Sequence, residues 1–320
     1  MLLAGDIGGT KTLLGLFEAG GDRPEPSTVR QFVTLDYDSL DAIVAEFLAI
    51  TPRPSIEAAC FGVAGPVLHG TARLTNVPWV VDSRETSRRF SIARVDLLND
   101  LEAMASSVTV LHADELAVLQ KGEPVPGGNA AVIAAGTGLG EAMLHHVGER
   151  WYPLSSEGGH ADFAARTERE IALLRQVIER AGRAQYEDLL SGPGLVNIHR
   201  FTHADRCPAV ADTTREEAPA EISAAALAGQ CPHCVEALEM FVEIYGAEAG
   251  NLGLRAVATG GVYIGGGIAP HILPALQTGA FIKAFNDKAP MQDLVRRMPV
   301  SVILNPRAAL LGAAVKAATA

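Results

Sequence analysis

Residues 3–18 read LAGDIGGTKTLLGLFE: an apolar run, then Asp6-x-Gly8-Gly9-Thr10, then a second apolar run. The glycine pair between two strand-like segments suits a phosphate, because backbone N–H groups approach phosphate oxygens closely only where no side chain intervenes. The spacing is neither the dinucleotide fingerprint G-x-G-x-x-G nor the G-x-x-x-x-G-K-[ST] loop. A related pattern returns at 129–147, NAAVIAAGTGLGEAMLHHV, with Gly136-Thr137-Gly138 where Gly8-Gly9-Thr10 stood. A third cluster, GGVYIGGGIAPHILPAL at 260–276, follows a Val/Tyr/Ile strand and opens a helix, where free N–H groups gather.

Two strand–turn–strand hairpins, one from each half of the chain, predict a pair of jaws whose turns hold one polyphosphate from two sides. Asp6 ends the first strand and cannot help an anion directly. Beside a triphosphate its use is to hold Mg²⁺, through water.

Bulk properties bound the rest. A chain of 320 residues, 48% apolar, is long enough for one large or two ordinary domains with real cores. A formal charge of −11 argues against nucleic-acid or anionic-membrane partners, which are held by clustered Lys and Arg. No signal-peptide pattern and no apolar run of membrane-spanning length is found. Four cysteines are too few for a disulfide scaffold and fit a reducing cytoplasm. Cys231-Pro-His-Cys234 is the paired thiol motif. On its face it is half a zinc site or a redox pair; with no second Cys/His pair at finger-like spacing, the plainer reading is the first turn of a long helix, with Pro232 at the start.

Along the chain, strands are predicted at 2–6, 11–17, 28–35, 56–63, 71–75 and 95–98. Helices are predicted at 39–50, where Leu40, Ile43, Val44 and Phe47 share one face, and at 83–90, 168–181 and 232–258. The order suggests mixed sheets with helices on their faces. The segment 203–220 reads as a surface loop. A hinge is expected near 109–111, with the C-terminal helix 307–318 returning to the first domain. The division is then 1–109 plus 301–320 for a small α/β domain, and 110–300 for a large one.

This arrangement resembles the ATPase superfamily of sugar kinases, actin and heat-shock chaperones. Within it the chain resembles bacterial glucokinases of the proteobacterial type: GDIGGT at 5–10, LLNDLEA at 97–103, AAGTGLG at 134–140, EGGH at 157–160, LSGPGLVN at 190–197 and GGVYIGGGI at 260–268. The six motifs stand in register from residue 3 to about 312. The chain is also similar to the related repressor-kinase family, but it lacks that family's preceding helix-turn-helix and the Cys-rich zinc loop that accompanies its EGGH-type motif. The resemblance implies a two-domain, actin-like (ribonuclease H-like) α/β fold with a hinge and an active site in the interdomain cleft. The implied activity is ATP- and Mg²⁺-dependent phosphorylation of glucose, with a homodimer among the assemblies it allows.

Residue roles follow from the same resemblance. Asp100 matches the general base that takes the proton from the sugar 6-hydroxyl; read locally, it is also a cap for a helix over 101–108. Asn99, Asp100, Glu157, His160 and Glu187 match sugar-binding positions, where carboxylates, an Asn and a His satisfy hydroxyls that donate and accept. Gly5, Asp6, Ile7, Gly8, Gly9 and Thr10, with Gly136, Thr137 and Gly138 and with Gly265, Gly266 and Gly267, match ATP and phosphate positions. The loop TNVPW at 75–79 is expected to border the sugar. Other readings are a kinase for another hexose, a non-catalytic sugar sensor, or an actin-like filament protein.

Overall fold

The opening stretch folds as its residue pattern predicts. Strands β1 (Leu2–Ile7) and β2 (Lys11–Glu18) pair antiparallel, from Leu2 opposite Phe17 to Ile7 opposite Thr12. Side chains of β1 alternate between two buried clusters, Leu2 and Ala4 in one and Leu3 and Ile7 in the other, so both faces of the sheet are covered. The computed structural model describes residues 1–319 apart from 22, 52–54, 75, 76, 204 and 206. The chain groups into two units: Met1–Ala113 with Trp151–Ser155 and Asn305–Ala320, and Asp114–Arg150 with Ser156–Leu304.

In the first unit the chain continues through β3 (Glu25–Val33), helix α1 (Leu40–Ile50), β4 (Ala58–Val63) and a small antiparallel sheet of β5 (Val67–Leu68), β6 (Thr71–Arg73) and β7 (Val80–Asp82). Helix α2 (Ser83–Phe90), β8 (Arg94–Asn99) and helix α3 (Asp100–Ser107) follow. Ser39 caps α1 by accepting from the Ala42 N–H at 3.2 Å, and the helix buries Leu40, Ile43, Val44 and Phe47. Each such side chain contributes about 1.5–3 kcal/mol of burial. The C-terminal helix Ala308–Ala318 places Leu310, Leu311 and Ala314 against Leu2, Ala4, Leu98 and Ala103 on the other face.

The main sheet has the order β3-β2-β1-β4-β8, with β1, β4 and β8 parallel. Ile7, Val63 and Asn99 stand level at the carboxyl ends of these strands. The chain therefore leaves the sheet along one edge at Gly8-Gly9, Ala64-Gly65 and Asn99-Asp100, the end where ligands of open parallel sheets bind.

The second sheet repeats the device. Strands β9 (Leu116–Gln120), β10 (Ala130–Ala135), β11 (Leu139–Val147), β12 (Arg150–Ser156), β13 (Gly261–Gly265) and β14 (Val300–Ile303) lie in the order β12-β11-β10-β13-β14-β9. Its hairpin β10–β11 is antiparallel and its neighbours β10, β13 and β14 are parallel, as in the first sheet. Helices α4 (Glu168–Ala181), α5 (Gly192–Thr202), α6 (Ala218–Leu227), α7 (Pro232–Ala256), α8 (Ile268–His271), α9 (Leu273–Leu276), α10 (Ala280–Asn286) and α11 (Gln292–Arg297) complete this part of the chain. Helix α7 is buried along most of its length. Its Tyr245 hydroxyl accepts from the Ala135 N–H at 3.2 Å and donates to the Ile133 carbonyl at 3.3 Å, which fixes the helix on β10.

Two expectations change. The third strand stops at Val33, and Thr34–Asp36 form a 3₁₀ turn. The expected surface loop at 203–220 is not wholly a surface: Cys207 and Val210 are 5% and 2% exposed, and α6 begins at Ala218. Those side chains join the apolar core of α5 and α7, and burying them outweighs the polarity of their neighbours. No described helix is long and apolar enough to cross a membrane.

Candidate active site

In the first unit, Asn99 and Asp100 sit where β8 turns into α3. Their division of labour differs from the local expectation: Asn99, not Asp100, is the cap. Its Oδ1 accepts from the Leu101 N–H at 2.9 Å, its Nδ2 donates to the Gly65 carbonyl at 3.3 Å, and Glu102 Oε2 accepts from the Asn99 N–H at 2.9 Å. This closes a capping box, and the Asn-x-x-Glu spacing that makes it was legible in the sequence. Asp100 becomes the first helical residue, half-buried, with Oδ1 accepting from the Leu101 N–H at 2.9 Å.

At the same sheet edge lies the Gly8–Thr10 turn. The Gly8 N–H donates to the Lys11 carbonyl at 3.0 Å and closes the hairpin. Among the described residues, the N–H groups of Gly9 and Thr10 have no protein acceptor. Asp6 stands at the carboxyl end of β1. Burial pushes its carboxyl up to about 6, against the opposing pull of Lys11. Its carboxylate has no hydrogen-bond partner among the described residues. A carboxylate without a hydrogen-bond partner beside the Gly8–Thr10 turn fits Mg²⁺, which keeps several waters and takes one or two carboxylates plus phosphate oxygens.

In the second unit, the motifs around Glu157, Glu187 and Gly136–Gly138 form one network centred on Leu139. Glu187 Oε2 accepts from the Leu139 N–H at 2.8 Å. The Gly159 backbone lies so close to the Leu139 carbonyl that a Cβ there would stand 2.1 Å from its oxygen. The Gly192 N–H at the start of α5 donates to the Gly136 carbonyl at 2.8 Å, and the Gly136 N–H donates to the Gly138 carbonyl at 2.9 Å. The Thr137 and Gly138 N–H groups have no protein acceptor among the described residues.

Glu157 and His160 are exposed on the loop above this network, 3.9 Å apart between Oε2 and Nε2. His160 is held from behind: its Nδ1 lies 3.2 Å from Gln185 Oε1, and Arg183 Nη2 donates to its carbonyl at 2.6 Å. The sequence reading missed Gln185 and Arg183, because nothing local pairs them with residue 160.

Gly265, Gly266 and Gly267 follow β13, next to β10. Gly266 adopts φ +82°, and a Cβ on it would stand 2.3 Å from the Ala135 carbonyl oxygen, so the turn packs against the strand that feeds Gly136. Of the loop 75–79, Thr75 and Asn76 lie outside the described residues, whereas Val77 and Trp79 are buried core.

Under the 157–160 loop lies Glu141, 1% exposed, close enough that a Cβ on Gly158 would stand 2.2 Å from its Oε2. Burial, and then the Glu248 carboxylate beside it, push the Glu141 carboxyl up to about 8, with Arg255 at 3.5 Å pulling the other way. Glu141 therefore holds its proton to higher pH than an ordinary carboxyl.

The first unit carries a turn with unbonded N–H groups, a carboxylate suited to Mg²⁺ and a carboxylate at a helix start; the second carries a turn with unbonded N–H groups and a loop of polar groups suited to hydroxyls. A family model described as Glucokinase matches residues 3–320. A glucokinase of Nostoc punctiforme is 40% identical over 99% of both chains, and one of Mesorhizobium japonicum is 40% identical over 98% of this chain and 90% of the relative. The crystal structure of a glucokinase from an Antarctic psychrotroph superposes with a TM-score of 0.88 at 30% identity, covering 99% of this chain and 98% of that one. The repeated sheet order and this likeness make the fold the actin-like ATPase fold of sugar kinases. With the family model spanning nearly its whole length, the chain belongs to the glucokinase family, enzymes that phosphorylate glucose with ATP.

Proposed function

We propose that this chain transfers the γ-phosphoryl group of ATP to the 6-hydroxyl of glucose, with Asp100 as the general base. The observation that carries the reading is the place of Asp100: the first residue of α3, at the carboxyl end of a parallel strand, while Asn99 does the capping. An aspartate at the strand-end edge where ligands of open parallel sheets bind has its carboxylate placed for chemistry. The candidate sugar ligands are Asn99 and Asp100 in the first unit and Glu157, His160 and Glu187 in the second. The turns Gly8–Thr10 and Gly136–Gly138 hold the phosphates through their free N–H groups, with Gly5, Ile7 and Gly265–Gly267 shaping the backbone around the nucleotide.

Asp100 accepts the proton of the 6-hydroxyl as that oxygen's electron pair forms a bond to the γ-phosphorus. The bond from phosphorus to the β–γ bridging oxygen breaks, leaving ADP and glucose 6-phosphate. Asp6 would hold Mg²⁺ through water, and the bound ion would supply neutralisation of the charge on the β- and γ-phosphates. The four cysteines are all free thiols and all buried, which suits a cytoplasmic setting.

The test is a coupled assay with glucose, ATP and Mg²⁺ that measures ADP and glucose 6-phosphate separately. Equal formation of both supports the reading. ADP without sugar phosphate, or faster turnover of mannose, fructose or an acylamino sugar than of glucose, overturns it.

A further inference from the structure

Three stretches of the second unit, separated in sequence, meet at the carboxyl end of α5. His199 lies in the last turn of α5, His203 follows it, Cys207 stands four residues on, and Cys231 and Cys234 open α7. Cys207 Sγ lies 3.9 Å from Cys231 Sγ and 3.6 Å from Cys234 Sγ. His203 Nε2 lies 3.4 Å from Cys231 Sγ and 4.0 Å from Cys234 Sγ. Around a tetrahedral zinc ion, with Zn–S about 2.3 Å and Zn–N about 2.0–2.1 Å, neighbouring sulfurs stand about 3.8 Å apart and a sulfur–nitrogen pair about 3.6 Å apart. The observed separations bracket these values. They are far beyond the ~2.05 Å of a disulfide.

Two further observations separate a ligand set from thiols that merely pack together. His203 Nδ1 lies 2.8 Å from the His199 carbonyl oxygen, which can only accept, so Nδ1 carries the proton and Nε2 turns its lone pair toward the sulfurs. A second hydrogen bond of this kind is what orients a metal-bound imidazole. Beside it, His199 is 3% exposed and stacked on His203 with ring centroids 3.8 Å apart, and neither of its ring nitrogens has a hydrogen-bond partner. One of those nitrogens lies within 4.8 Å of the ligand atoms of His203, Cys207 and Cys234. Buried polar groups without partners are rare, and this one points at the cluster. A cavity of about 300 Å³, lined by His199, His203 and Cys207, gives an ion a way in.

We propose that Cys207, Cys231 and Cys234, as thiolates, and His203 through Nε2 bind one structural zinc ion, with His199 packed against the ligand set. Binding releases the three thiol protons to water. The soft donor set selects zinc over Mg²⁺, so the ion required for phosphoryl transfer does not compete for the site. Zinc ties the end of α5 and the segment through Cys207 to the start of α7. At the other end of α5 Ser191 Oγ donates to the Glu187 carbonyl at 2.7 Å, and from mid-helix Asn197 Nδ2 donates to the Asp188 carbonyl at 2.9 Å, so the anchored helix is the one that carries the Glu187 segment. The ligands come from two helix ends and a loop between them, which is why they show no finger-like spacing.

The experiment uses the full chain without an affinity tag. Elemental analysis after gel filtration is expected to find about one zinc per chain. Replacing zinc with cobalt(II) is expected to give the thiolate-to-metal charge-transfer absorption and the intense visible bands of a tetrahedral sulfur site. In competition with a chromophoric chelator, Cys207→Ser, Cys231→Ser and Cys234→Ser should each weaken zinc binding beyond the ~10–100-fold that an outer partner costs, whereas His199→Asn should stay within it. If a serine variant fails to fold, the zinc content and cobalt spectrum of the unaltered chain still decide. Zinc well below one per chain with no competition by added zinc, a cobalt spectrum without charge transfer, or a disulfide among these cysteines in anaerobically purified protein overturns the proposal. Loss of zinc from His199→Asn but not from Cys231→Ser overturns the assignment of Cys231.

Discussion

The carboxylate of Glu187 accepts the backbone N–H of Leu139 at 2.8 Å, so a side chain expected to hold sugar also holds the end of the Gly136–Gly138 turn. Leu139 in turn faces the Gly159 backbone of the EGGH loop. Within the second unit, the EGGH loop and the Gly136–Gly138 turn therefore share one anchor.

Glu187→Ala removes the acceptor of a half-buried N–H, a loss of about 1–3 kcal/mol at the turn. The expected outcome is a rise of tenfold or so in KM for both glucose and ATP. Steady-state kinetics with each substrate varied in turn checks this; an effect confined to glucose would show that the turn does not depend on Glu187.

Asn99 caps α3 as well as being a candidate sugar ligand, whereas Asp100 is the candidate base. Asn99→Ala removes a helix cap and should cost about 0.5–2 kcal/mol of stability, read as a lower Tm. Asp100→Asn should keep Tm near the parent and lower kcat by ~10²–10⁴, with glucose affinity within about tenfold of the parent. Near-parental kcat in Asp100→Asn would move the proton to another acceptor.

Glu141 sets a pH dependence. Its folded pKa, about 8, lies above the ordinary 4.5, so the folded state holds a proton that the unfolded state has lost between these values. Stability relative to Glu141→Gln should therefore be greatest below about pH 4.5, decline as pH rises toward about 8, and level off above. Thermal unfolding of the two proteins across this range measures the gap. Stability relative to Glu141→Gln that stays level or rises with pH would mean that Glu141 is ionised in the folded state.

Gly266→Ala puts a Cβ 2.3 Å from a backbone oxygen at φ +82°. The turn must shift, since backbone cannot yield as a side chain does. KM for ATP should rise tenfold or more while KM for glucose changes little, because the displaced turn follows β13 and not the EGGH loop. Equal changes in both would place Gly266 in the shared framework.

Much of this molecule is local and was legible as such. The two strand–glycine–strand hairpins, the cap and apolar face of α1, and Pro232 at the start of α7 depend on residues within a few positions of each other, and short-range sterics and periodicity determine them. The capping box at Asn99 is as local, yet the sequence alone suits an Asp100 cap equally, because both residue types fit that position. Only the tertiary structure decided that Glu187 reaches Leu139 across 48 residues, that Gln185 steadies His160, and that His203 and Cys207 stand beside Cys231 and Cys234. Those partners are chosen when α5, α7 and the second sheet bury their common apolar core. A polar side chain then bonds to whatever that packing leaves within about 3 Å, and sequence spacing carries no record of it.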